Sequence, residues 1–243
     1  MSAYDQPRFL PAGDRAVTVE LAAEISPEIN ARVRALSRGL AQEPAPGIVD
    51  LVPTYRSLLV YFDPSRTGIA DLKVRILAMA ARDDVPAAAP KVLQIPVVYG
   101  GEYGPDLEFV AGHAGLSAAE VVEIHAGTNY LVYMMGFNTG FPYLGGMSVK
   151  IAAPRLHAPR TRIPAGSVGI AQQQTGIYPV DSPGGWQIIG RSPVRLFDPH
   201  RDPPVAIEAG DFIRFVAIDA AQYTAIEQLV QSNSYHDVVT ETI

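Results

Sequence analysis

The sequence predicts an α+β fold in which a small split βαβ unit precedes a larger, loop-rich β domain. Three observations carry this reading. Periodicity runs strand, helix, strand, strand, helix up to about residue 81; residues 82–91, RDDVPAAAPK, interrupt both periods; and ten of the chain's 21 glycines fall between Gly136 and Ser192.

Val17, Val19 and Leu21 alternate with polar neighbours, which is the pattern of a strand with one buried face. Ser26 and Pro27 then supply an N-cap and a first-turn proline, and Ile29, Val33, Leu36 and Leu40 follow at helical spacing. Pro44 to Gly47 breaks that helix. Strands are predicted at Ile48 to Val52 and Ser57 to Phe62, and a second helix from about Gly68 to Ala81 is expected to bury Ile69, Leu72, Ile76 and Leu77. The charged, proline-rich and alanine-rich segment at 82–91 marks the domain boundary.

Lys91 to Tyr99 reads as the first strand of the second domain. A short helical piece around Leu107 to Val110 comes next. A clearer helix is opened by Ser117, with Glu120 completing a capping box, and closed by Gly127. His125 in its last turn is expected to act as a cation at the negative end of the helix dipole, a structural role. Further on, Val194 to Phe197 and Val205 to Ile207 look strand-like, and Phe212 to Ile218 alternates cleanly. Asp219 caps a closing helix with Tyr223, Ile226 and Val230 on one face, and the stretch from Ser232 onward is expected to fray.

The glycine-rich stretch holds the candidate site. GFNTGFPYLGG sets Phe137, Phe141 and Tyr143 among glycines, where the rings can line a pocket or plug the end of a barrel. Arg160 and Arg162, two apart in an extended segment, project to one face. They read either as an anion clamp or as two solvated surface arginines. Gln172 and Gln174 share a face in the same way and offer neutral donors and acceptors. In DSPGGWQIIG, the pair Gly184 and Gly185 suggests a hairpin turn, with Trp186 starting the next strand.

Composition narrows the function. A formal charge of −6 with no basic block argues against nucleic acid as a partner. The absence of cysteine excludes disulfides, thiolate metal sites and a cysteine nucleophile, and no histidine pair has metal-ligand spacing. The first residues carry neither a basic nor an apolar targeting segment, and no apolar run approaches the ~20 residues of a membrane span, so a soluble, cytoplasmic protein is expected. No phosphate-cradling loop, dinucleotide fingerprint or G-x-S-x-G elbow is present, and no alanine-methionine-lysine-methionine type segment that would carry biotin.

The motifs AGDRAVTVEL, VPTYRSLLVYFD, GFNTGFPYLGG, PRTRIPAGSVGIA and QTGIYPVDSPGGWQIIGRS together resemble the allophanate hydrolase subunit 1, or carboxyltransferase-domain, family, which includes the B subunit of 5-oxoprolinase and the kinase inhibitor KipI. The resemblance implies an α/β N-terminal domain over residues 1–85 and a cyclophilin-like β-barrel over 86–243. Two departures stand out: Thr139 replaces the usual proline of the first loop, loosening a corner, and Gln172 replaces the usual glycine after the GSVGIA strand.

What the family implies is ATP-dependent cleavage of 5-oxoproline to glutamate, with ATP bound at this chain or with a partner. The partners would be a second, carboxyltransferase-like subunit of the C type and a third, separate one of the A type. Arg160 and Arg162 would hold an anion, and Gln174 and Tyr178 would orient the substrate. Phe137, Phe141, Tyr143, Gln172, Ser182, Gly184 and Gly185 would line its site. The resemblance also implies two alternatives: a carboxyltransferase half acting on a urea-like or allophanate substrate, and a KipI-like inhibitor of a histidine kinase.

Overall fold

The structure, a computed structural model, describes residues 3–43, 45–82, 89–236 and 238–241. The chain divides into two compact units, Met1–Ala89 and Pro90–Ile243. The boundary expected between residues 85 and 86 lies outside the described residues.

The first unit contains β1 (Ala3–Pro11), β2 (Ala16–Ala22), α1 (Pro27–Gln42), β3 (Ile48–Pro53), β4 (Ser57–Phe62) and α2 (Ile69–Ala80). Sheet order is β1-β2-β4-β3 with every neighbouring pair antiparallel. Hence β2 and β3 run parallel with β4 between them and α1 crossing over, which is the split βαβ arrangement. Strand β1 is an addition that the sequence pattern hides. It is an edge strand with no fully buried residue and a register irregularity, so it needs no apolar alternation.

Ser26 caps α1 by accepting from Ile29 N at 3.2 Å. Asn30, fully buried, donates from Nδ2 to the carbonyls of Thr54 and Tyr55, fastening the helix to the β3–β4 turn. In α2 the inward residues are Leu72, Ile76 and Met79, whereas Ile69 is exposed and Leu77 only half-buried. The reason is Gly39 of α1: a Cβ there would overlap the Met79 sulfur, so the missing side chain makes room for methionine.

The second unit runs β5 (Lys91–Tyr99), α3 (Leu107–Ala114), α4 (Ala118–Ala126), β6 (Asn129–Met135), β7 (Pro142–Gly145), a 3₁₀ turn at Val149–Ile151, β8 (Arg160–Ile163), β9 (Ser167–Ala171), β10 (Gln174–Ile177), β11 (Ser182–Gly184), β12 (Gln187–Arg191), β13 (Phe212–Ala217), α5 (Ala220–Gln231) and β14 (Val238–Glu241). The main sheet has the order β10-β9-β12-β5-β13-β6-β7. Its two edges, β7 and β10, pack against each other, so the sheet curls into a nearly closed barrel. This bears out the α+β, barrel-containing fold. Strand β5 is its axis: it pairs in parallel with β13, and on its other side antiparallel with β14 at its start and β12 at its end. Leu93, Ile95 and Val97 of β5, Ile213 and Phe215 of β13, and Val168 and Ile170 of β9 fill the interior.

Several local expectations are corrected. Gly184 and Gly185 do not turn a hairpin, because β11 pairs with β8 in a separate ribbon while β12 joins the main sheet; the glycines carry the chain from one to the other. Val194 to Phe197 and Val205 to Ile207 form one bridge, Phe197 to Val205, and no strands. The stretch beyond Ser232 does not simply fray, since β14 returns to β5.

His125 is corrected too. The Ser117–Glu120 capping box forms as expected, but His125 is fully buried, and desolvation lowers its pKa to about 3. An uncharged ring owes nothing to the helix dipole. The Thr175 hydroxyl donates to Gly169 O at 3.1 Å, so it must accept from His125 Nε2 at 2.8 Å. That fixes the tautomer, and Nδ1 accepts from the Tyr99 hydroxyl at 2.8 Å. Among the described residues, no helix is long and apolar enough to cross a membrane.

Candidate functional site

The loop between β6 and β7 is built from two tight turns. Asn138 N donates to Gly136 O at 2.7 Å across Phe137, whose φ of 64° makes this the rarer, left-handed γ-turn. Phe141 N then donates to Asn138 O at 3.0 Å with Gly140 at φ 79°, a type II turn whose second position is Thr139. The result throws the two phenyl rings apart in environment. Phe137 is 63% exposed, while Phe141 is buried.

Phe141 is the hub of an aromatic cluster. It meets Tyr143 and Tyr178 edge-on at 5.4 Å, Trp186 at 5.8 Å and Phe137 at 5.5 Å between ring centroids. Ile163, Ala171 and Ile188 complete the packing around Phe141, Tyr178 and Trp186. A Cβ at Gly176 would approach both Phe141 and Trp186 at 3.2 Å, so that strand position suits glycine. Of the sequence-predicted site residues, the lining candidates Phe141 and Tyr143 therefore come together with the substrate-orienting candidate Tyr178, joined by Trp186, and Phe137 flanks them from the outside.

Tyr178 follows β10, and its hydroxyl lies over Gly184 on β11. It makes no hydrogen bond among the described residues. Burial pushes its pKa up to about 12, against the opposing pull of Arg155 and Arg160, so the phenol keeps its proton at neutral pH. A neutral donor on a buried ring, without an acceptor, is the most chemically suggestive group of the site.

Arg160 and Arg162 have different surroundings although both stand on β8. Arg160 Nη2 bonds Asp106 Oδ1 at 2.8 Å and its Nη1 donates to Trp186 O at 3.3 Å; Asp106 Oδ2 accepts from Ile188 N at 2.6 Å. Arg160 thus clasps β8 to the residue before α3 and to the start of β12. Arg162 is three-quarters exposed and forks onto Asp181 Oδ2 through Nε and Nη2. The Ala165 amide, and then Arg162, hold the Asp181 carboxyl below the usual carboxylate range. Each guanidinium has its own carboxylate, and the two do not share one anion.

The glutamines separate as well. Gln172 opens the two-residue turn between β9 and β10 at φ 55°, exposed and bridged through its backbone to Ala153, so the strand alternation that would put it beside Gln174 is interrupted. Gln174 is half-buried at the head of β10. Ser182 is buried and its hydroxyl donates to Val180 O at 3.4 Å; Gly185 O accepts from Leu156 N at 2.7 Å. Sequence reasoning missed Asp106 altogether. Its one signal is its place just before a helix, and its partners Arg160 and Ile188 lie 54 and 82 residues away.

This barrel with its aromatic end belongs to a known class: the chain is a member of the carboxyltransferase domain family, subdomain C and D, whose model matches residues 7–207. It is similar to the B subunit of 5-oxoprolinase from Bacillus subtilis, with 42% identity over 230 residues that cover 89% of this chain and 95% of that one. Among solved structures it is similar to TTHA0988, with a TM-score of 0.77 and 38% identity over 85% of this chain, and it spans 41% of that longer chain. The urea amidolyase of K. lactis has a TM-score of 0.79 over 97% of this chain and 16% of that one; at 20% identity this is a likeness of fold. The family resemblance read from the sequence motifs is borne out.

Proposed function

We propose that this chain is the B subunit of an ATP-dependent 5-oxoprolinase, contributing part of an active site that cleaves 5-oxoproline to glutamate together with partners of the C and A types in the cytoplasm. The observation that carries this is the near end-to-end similarity to a 5-oxoprolinase B subunit. The local geometry supports it. Phe141, Trp186 and Tyr178 pack as a buried aromatic cluster beside the half-buried Tyr143, and the Tyr178 hydroxyl at its edge is a neutral donor suited to a lactam oxygen.

ATP supplies the drive for opening a stable lactam. The arginines expected to hold an anion do not fit a transferred phosphoryl group, because Arg160 is committed to Asp106 and Arg162 to Asp181. Contact with nucleotide therefore falls outside these two side chains. Arg160 acts as a positioning residue, fixing Trp186 and Asp106, while Tyr178 orients the lactam carbonyl. The exposed Phe137 ring, on a turn of uncommon geometry, is where a partner protein would close over the site.

The test is ATP-dependent release of glutamate from 5-oxoproline by this chain alone and mixed with its candidate partners. Activity confined to the mixture supports the reading. A stable complex without activity in any mixture overturns it. The family's carboxyltransferase membership favours one competing reading, transfer from a biotinylated carrier, whose signature in the same assay is dependence on that carrier.

A further inference from the structure

The first unit holds a cavity of about 330 Å³ between α1 and α2, remote in sequence from the aromatic cluster. It exists because Ala31 and Ala35, one turn apart on α1, are small. Its polar lining is cationic: Arg32, Arg34 and Arg38 from α1 and Arg82 from just beyond α2, with no carboxylate among the described lining residues. Leu36 and Met79 provide an apolar floor.

Two observations say that this cluster is incomplete by itself. Arg38 Nε is buried and has no hydrogen-bond partner among the described residues. Arg38 is also one of the cavity's lining residues, so this unmet donor belongs to the group that borders the open space. Arg82 has Glu43, Arg34 Nε has Asn30 Oδ1 and Arg32 is solvent-exposed, so the deficit centres on Arg38. In a chain with net charge −6, such a local excess of guanidinium is not a general property of the surface.

We propose that the α1–α2 cavity is a binding site for the phosphate group of a small molecule. Planar guanidinium forks match phosphate oxygens two at a time, and an unpaired Nε–H beside the Nη donors is one side of such a fork. The cavity has the volume of a small-ligand pocket, and its apolar floor would carry the rest of an organic phosphate. The site is independent of the aromatic cluster and of the reaction proposed above.

The experiment is titration calorimetry of the intact chain with inorganic phosphate, pyrophosphate and ADP. The expected result is saturable binding of phosphate that weakens about tenfold in Arg38→Ala, as loss of one charge-assisted contact predicts. Binding is expected to stay unchanged in Arg66→Ala, a control on an exposed arginine outside the cavity. ADP binding more tightly than pyrophosphate would assign a nucleotide; equal binding would assign the phosphate group alone. Should Arg38→Ala unfold, phenylglyoxal labelling of the wild-type chain replaces it, with phosphate expected to protect Arg38 from modification. No saturable binding of any of the three probes overturns the proposal. So does an Arg38→Ala protein that binds as the wild type does, or labelling of Arg38 that is indifferent to phosphate.

Discussion

The hydroxyl of Tyr178 lies so close over Gly184 that a methyl group on that glycine would sit 2.5 Å from the phenol oxygen and 2.7 Å from Ile163 Cδ1. One residue's lack of a side chain thus makes room for the other's hydroxyl. Gly184→Ala is expected to push the ring out of the aromatic cluster, with a destabilisation of about 1–3 kcal/mol typical of overpacking. Urea unfolding measures it. Tyr178→Phe keeps the ring packing and should leave unfolding nearly unchanged, while lowering kcat of the assembled complex about a hundredfold, the usual loss for one hydrogen-bond donor to a reacting oxygen.

Arg160 and Arg162 should behave differently despite their spacing. Arg160→Ala removes the partner of a largely buried Asp106, and a loss of about 1–3 kcal/mol is expected. Arg162 is mostly solvated, and Arg162→Ala should change stability by less than about 0.5 kcal/mol. A matched pair of denaturation curves decides it, and equal effects would mean that the clasp through Asp106 does not hold the site together.

Stability should fall on mild acidification because of His125. Its folded pKa of about 3 is below the unfolded value of 6.5, so the fold favours the neutral ring. That contribution is complete above pH 6.5 and is lost as pH falls from there towards 3, at up to about 1.4 kcal/mol per pH unit. Comparing the wild type with His125→Gln between pH 6.5 and 4.5 checks this: the variant should show the flatter profile.

Thr139 and Gln172, the two departures read from the motif resemblance, both fall in turns, and both can be changed. Thr139 occupies the second position of a type II turn, where proline is favoured, and Gln172 sits at φ 55°, where glycine is favoured. Thr139→Pro should raise stability by roughly 0.4–1 kcal/mol through the unfolded chain. Gln172→Gly should gain about 1 kcal/mol by relieving the left-handed backbone. Thermal melts of the two single variants and the double variant provide the measurement, and the gains should add because the turns are separate.

Elements with strong periodicity or caps were legible in the sequence. The α1 cap at Ser26, the Ser117–Glu120 box and the apolar faces of β2 and β5 follow from neighbours within one or two turns of chain. What stayed hidden depends on distant partners. Strand β1 is solvated and has no apolar period; β14 exists only because β5 has room at its start; and Met79 faces inward because Gly39 lacks a side chain. The same holds at the site. The aromatic residues were visible as a group, but the neutralisation of Arg160 by Asp106 joins positions 54 apart, and no local pattern announces it. His125 looked like a helix-end cation because its burial is decided by Tyr99 and Thr175.

The pairing of β5 with β13 also governs how the protein is made. Lys91 N bonds Asp211 Oδ1 across 120 residues of sequence, and each residue of β5 from Val92 to Val97 waits for a partner that is translated far later. At about 5–20 residues per second on the ribosome, that strand emerges roughly 6–24 s before its parallel neighbour. During that interval Val92, Leu93, Ile95 and Val97 form an unpaired apolar edge. Yield in a producing cell should therefore depend on chaperone supply, and nascent chains that terminate ahead of β13 should be found in the insoluble fraction.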